Sequence, residues 1–138
     1  MQRAVHWIAI PLAAAALFLW SCNESVNSDA DAQKNHPVLV NTADAVTFTV
    51  DASNINFNIA DSLSFSGTPV VRTLVVSGYS SGTGYIIVEG SASTILLSDT
   101  LNSNRILAGT EFTASAPSRI AIALTNYSGQ VTFALARK

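Results

Sequence analysis

The sequence predicts an all-β fold for residues 37–138: a small antiparallel β-sandwich of about eight short strands. Three observations carry this. Of these 102 residues, 30 are Val, Ile or Thr, whose branched side chains suit a pleated strand. Apolar residues alternate with a period of two, and no window sustains the 3.6-residue stripe of an amphipathic helix. Turn signals recur roughly every 8–12 residues, the spacing of sandwiches and small barrels.

The elements follow in order. Val38–Asn41 is a short strand. Val46–Val50 alternates cleanly and points Val46, Phe48 and Val50 inward. Ile55, Phe57 and Ile59 alternate with Asn56 and Asn58, the clearest half-buried strand in the chain. Val70–Ser77 and Tyr85–Glu89 are nearly continuous apolar runs and suit central strands. Ser93–Leu97, Arg105–Leu107 and Glu111–Ala114 are shorter strand candidates. Ile120, Ile122 and Leu124 then pair with Val131, Phe133 and Leu135, and Asn126–Gln130 reads as the loop of that hairpin. No connection is long or helical enough for a parallel crossover, so the strands are expected to run antiparallel. A jelly-roll or immunoglobulin-like appearance is expected. The stretch Phe112–Ala114, Pro117, Ile120–Ile122, Ser128-Gly129 and Val131–Leu135 resembles the closing hairpin of pre-peptidase C-terminal-type β-sandwiches. That resemblance implies a sandwich and nothing about activity.

The region before residue 37 has a different texture. Residues 1–21 hold 16 apolar residues, with Arg3 ahead of an apolar run from Val5 to Trp20. A short positive end followed by such a run is the order of a secretory signal peptide, and the run is too short for a spanning helix of about 20 residues. It ends in Leu19-Trp20-Ser21-Cys22, the only cysteine of the chain. This resembles the lipobox of bacterial lipoproteins, although Trp20 is larger than the residue usual at its place. The resemblance implies cleavage before Cys22, acylation of its thiol, and a membrane partner held through the acyl chains. Asn23 is not the aspartate that retains such proteins at the inner membrane of enteric bacteria, so the resemblance favours the outer membrane. Residues 22–36 then form an acylated cysteine and a polar, flexible tether.

Several functions are excluded by residue type. The chain carries 7 basic and 9 acidic side chains, net −2, with no basic field for a nucleic-acid backbone. Its histidines, His6 and His36, both precede residue 37, so the domain lacks a Ser-His-Asp triad, a Cys-His nucleophile and the usual zinc or copper ligands. The six acids of the domain are Asp44, Asp51, Asp61, Glu89, Asp99 and Glu111. The four aspartates are expected at strand ends or turns, with Glu89 closing a strand and Glu111 opening one. No enzyme activity and no cofactor are expected.

Binding is the class left. Gly78–Gly84 reads as a Tyr/Ser/Gly-rich loop between two central strands, the composition of adaptable recognition loops. Tyr79 in it, Tyr85 after it, and Tyr127 in the last loop are the candidate ligand-binding residues, each offering an apolar face and a polar tip. Arg72, Arg105, Arg119 and Arg137 are expected in salt bridges or on exposed faces. The expectation is an envelope binding, scaffold or adhesion module whose partner is an envelope protein or a glycan. A carbohydrate-binding accessory module using the loop tyrosines is the alternative.

Overall fold

The computed structural model describes residues 34–138; the expected leader, Cys22 and the expected tether up to residue 33 lie outside the described residues. The domain is all-β and antiparallel. Six strands form one sheet: β1 (Val38–Thr42), β2 (Ala45–Ser62), β3 (Val70–Glu89), β4 (Ile95–Thr100), β5 (Arg105–Phe112) and β6 (Arg119–Arg137). A single 3-10 turn, Ser91–Ser93, precedes β4.

The strand count differs from the expected eight because three strands are double length. β2, β3 and β6 run for 18, 20 and 19 residues, and each fuses two segments that read as separate strands. Their ladders become irregular at one common level. Register shifts fall between Ala52 and Ile55 on β2 and between Ser77 and Thr83 on β3, both opposite the Thr125–Gly129 stretch of β6. Asn54, Gly78, Gly82 and Asn126 have positive φ there. These residues mimic loop signals, but they place bulges inside continuous ladders, and bulges bend the strand that carries them.

The bend is large. Phe48 and Phe57 lie nine residues apart on β2, which a straight strand would stretch over about 30 Å. Their rings instead stack with centroids 5.8 Å apart. The sheet therefore doubles over along this fold line, and its two halves face each other. One half has the order β1–β2–β6–β3–β5 and the other β2–β6–β3–β4.

The period-two pattern decides what fills the space between. Val46, Phe48, Val50, Val70, Leu74, Val76, Val131, Phe133 and Leu135 point inward from the first half. Ile86, Val88, Ile120, Ile122 and Leu124 point inward from the second, and all join one buried cluster. Burial of each such side chain contributes roughly 1.5–3 kcal/mol. β6 is central to both halves, pairing with β2 on one side and β3 on the other along most of its length.

Among the described residues, backbone pairing is present three residues before the expected start of the domain. Lys34 bridges to Asp51, and the Asn35 N–H donates to the Asp51 carbonyl at 2.7 Å. The chain thus enters the domain beside the fold line.

Candidate functional site

The fold line brings together two of the three tyrosines that the sequence singled out. The bulge in β3 turns Tyr79 inward against Tyr127 of β6, with ring centroids 5.8 Å apart and planes tilted by 51°. The Tyr79 hydroxyl donates to the Gly82 carbonyl at 2.8 Å, and its backbone N–H donates to Asn104 Oδ1 at 2.8 Å. Gly82 (φ +86°) is required here, since a Cβ would lie 2.3 Å from the Asn126 carbonyl oxygen. Beside these, the Asn126 N–H donates to Asn56 Oδ1 at 2.9 Å and the Asn54 N–H donates to Ser128 Oγ at 2.8 Å. Side chains thus supply acceptors for N–H groups that the interrupted ladder leaves without strand partners.

Tyr127 is corrected from a loop tyrosine to a core one: it is fully buried within β6 and presents no surface to a ligand. Asn126–Gln130 is not a hairpin loop but a bulged stretch of a strand, and Gly78–Gly84 is likewise strand rather than loop. Burial pushes the Tyr127 phenol up to about 12, the neighbouring Tyr79 adds to this, and the Arg105 guanidinium opposes it. A phenol held neutral so far above ordinary pH is no general base or nucleophile. Among the described residues, Tyr127 Oη and Arg105 Nε are both buried without a hydrogen-bond partner.

Tyr85 is placed apart from this pair. It stands on the outer face of the second half, between Ala123 of β6 and Thr100 of β4, and is 45 % exposed. The structure therefore brings Tyr79, partly buried, and Tyr127, fully buried, together and places Tyr85 apart as the most exposed of the three. Cys22 lies outside the described residues.

The acids resolve into separate pairs. Asp99 lies one residue from the end of β4, a strand end as expected, but it is buried there, and both carboxylate oxygens accept from Arg72 Nη1, at 2.9 and 3.0 Å. Arg72 comes from the facing half, donates also to Thr110 Oγ1 at 3.2 Å, and is itself 8 % exposed. Alternation held the signal for both residues. Arg72 falls between Val70 and Leu74, and Asp99 between Leu97 and Leu101, at inward positions.

Glu89 closes β3 as expected and pairs with Arg119 at 2.9 Å. Glu111 lies at the end of β5, not its start, and pairs with Lys138 at 2.6 Å. Asp44 sits in the β1–β2 turn and accepts from the Ser66 N–H and hydroxyl and from Arg137. Those Ser66 bonds, with Arg137 beside them, hold its carboxyl below the usual carboxylate range. Asp51 and Asp61 accept from the amides of Gln130 and Asn41. Among the described residues no group of three or more His, Cys, Asp or Glu is placed to hold a metal ion.

Compared with known families, curated proteins and solved structures, the chain matches none.

Proposed function

We propose that the chain is a membrane-anchored envelope lipoprotein whose β domain serves as a non-catalytic binding, scaffold or adhesion module. The lipobox-like Leu19-Trp20-Ser21-Cys22 behind an apolar leader supports the anchor. For the domain, the single supporting observation is the state of its acids. Each of the six carboxylates is engaged by a donor of the chain itself, four of them by Arg or Lys. Carboxylates already compensated in this way are poor candidates for acid–base work.

The anchor is tested by metabolic labelling with a fatty-acid analogue and membrane fractionation. Cys22→Ser is expected to lose the label and leave the membrane fraction. Retention of the label in that variant overturns the anchor. The binding role is tested by cross-linking the full chain in intact cells and identifying partners by mass spectrometry. A reproducible envelope partner supports it, and a hydrolase activity abolished by Glu89→Gln or Glu111→Gln overturns it. The exposure of Tyr85 favours one second reading, a glycan stacked on that ring. Glycan retention unchanged in Tyr85→Ala removes it.

A further inference from the structure

The second half of β2 is an open sheet edge with an unusual sequence. Residues 55–62 pair with β6 on one side, and among the described residues no strand pairs with them on the other. An unpaired edge offers a row of N–H and C=O groups to another strand. Edges are ordinarily guarded by charge, proline, shortness or a bulge. The other edges here show such guards. β1 is five residues long and follows Pro37. β4 turns the charge of Asp99 inward. β5 is interrupted at Gly109, where φ is +72°. From Ile55 to Ala60, past the bulge at Ser53–Asn54, β2 carries no charge and no proline, and the extra residue of the ladder irregularity at Ile55–Phe57 lies on β6 rather than on this strand.

Its inward side chains are also incompletely covered. Ile55, Phe57 and Ile59 pack against the core yet remain partly exposed, unlike Ile120 and Ile122 on the adjoining β6. Phe57 is held in place by its stack on Phe48.

The sequence Ile55-Asn56-Phe57-Asn58-Ile59 reads the same in both directions. A two-fold interface sets residue i against j and j against i. Antiparallel pairing of this edge with its own copy, centred on Phe57, sets Phe57 opposite Phe57, each Ile55 opposite an Ile59 and each Asn56 opposite an Asn58. Residues brought opposite have the same parity, so the apolar faces of both copies fall on one side of the joined sheet. Beyond these residues the edge is already engaged by the chain itself, the Ser53 N–H donating to Asn35 Oδ1 and the Ser62 carbonyl accepting from Asn41 Nδ2, so the pairing is confined to the stretch between them. The palindrome favours the register centred on Phe57.

We propose that two copies of this chain pair through the second half of β2, antiparallel about an axis through Phe57, to form a continuous sheet across a homodimer.

Sedimentation equilibrium of the full chain in non-ionic detergent tests this. The unaltered chain is expected to show a monomer–dimer equilibrium. Asn56→Lys with Asn58→Lys opposes lysine to lysine twice across the axis, and is expected to weaken association by roughly tenfold or more. Asn56→Lys with Asn58→Asp opposes lysine to aspartate twice, and is expected to restore it. Circular dichroism confirms that both variants fold. Should the double-lysine chain fail to fold, a nitroxide on Asn58→Cys in a Cys22→Ser background gives the second readout. Opposed edges bring the two labels within roughly 15 Å, since diagonal Cβ atoms are about 7–8 Å apart. A monomer at all concentrations, dimerisation unaffected by the double lysine, no recovery in the Lys/Asp variant, or label distances well beyond that range each overturn the proposal.

Discussion

Arg72 and Asp99 are 8 % and 5 % exposed, so each pays desolvation that the opposite charge of its partner chiefly compensates. Removing one partner leaves a bare charge in the interior. Asp99→Ala is therefore expected to destabilise by about 3–5 kcal/mol in urea unfolding, and Arg72→Met by a similar amount. Arg72→Met combined with Asp99→Leu is expected near the unaltered stability, because an apolar pair needs no compensation. Equal losses in the single and double variants would contradict this. Tyr127 makes a different prediction at the same scale. Its phenol stays neutral up to about 12 when folded and ionises near 10 when unfolded, so above pH 10 the native state holds the extra proton. This contribution is fully present below pH 10 and is lost as pH rises from 10 to 12, a loss of about 2–3 kcal/mol. Tyr127→Phe should remove that slope from unfolding curves measured between these pH values. The same substitution deletes a buried hydroxyl that has no partner among the described residues, so at pH 7 it is expected to be neutral or stabilising.

The long strands of this sheet are made by their irregularities as much as by their apolar residues. In a straight β2, Phe48 and Phe57 could not stack, and the inward residues of the two halves would not meet. Gly82 is the tightest point of the fold line, with Asn126 and Tyr127 backbone atoms within 2.6 Å of where a Cβ would stand. Gly78, also at positive φ, has nothing within 4 Å of that position. Gly78→Ala is thus expected to cost about 1 kcal/mol from backbone strain, and Gly82→Ala distinctly more. Thermal unfolding of the two variants separates these cases, and equal losses would refute the crowding argument. The same residues explain what the sequence revealed. The inward set Val46, Phe48, Val50, Ile120, Ile122, Leu124, Val131, Phe133 and Leu135 was legible because alternation maps directly onto burial. Continuity through Gly78–Gly84 and Asn126–Gln130 was not, because positive-φ residues serve a hairpin turn and a mid-strand bulge equally well. Of the tyrosines chosen as a site, Tyr79 and Tyr127 converge only because bulges in two strands coincide, a relation between distant segments that neither segment encodes alone.

At the scale of the molecule, everything depends on the last strand. β2 and β3 do not pair with each other; each pairs with β6 along most of its length. Before Arg119 is present, the chain holds only the β1–β2 hairpin and β3 with its partners β4 and β5. These fragments expose Val46, Phe48, Leu74 and Ile86, which the complete fold buries, and a two-stranded hairpin is marginal in water. The closing bonds come from the C-terminus too. The Arg137 N–H donates to the Asp44 carbonyl, the Lys138 N–H to the Pro69 carbonyl, and the Arg137 side chain to Asp44 and Ser66. A chain ending at Ser118 is therefore expected to lack cooperative unfolding and the near-ultraviolet circular dichroism of fixed tyrosines. Because β6 meets its neighbours only through non-covalent ladders, a separate peptide spanning Arg119–Lys138 should dock between β2 and β3 and restore both signals. The same peptide carrying Phe133→Ala is expected to restore them poorly, since Phe133 is fully buried and its loss from a core costs about 3–5 kcal/mol. Cooperative unfolding of the truncated chain without peptide would show that β2 and β3 form a core by another pairing, and would refute the central role assigned to β6.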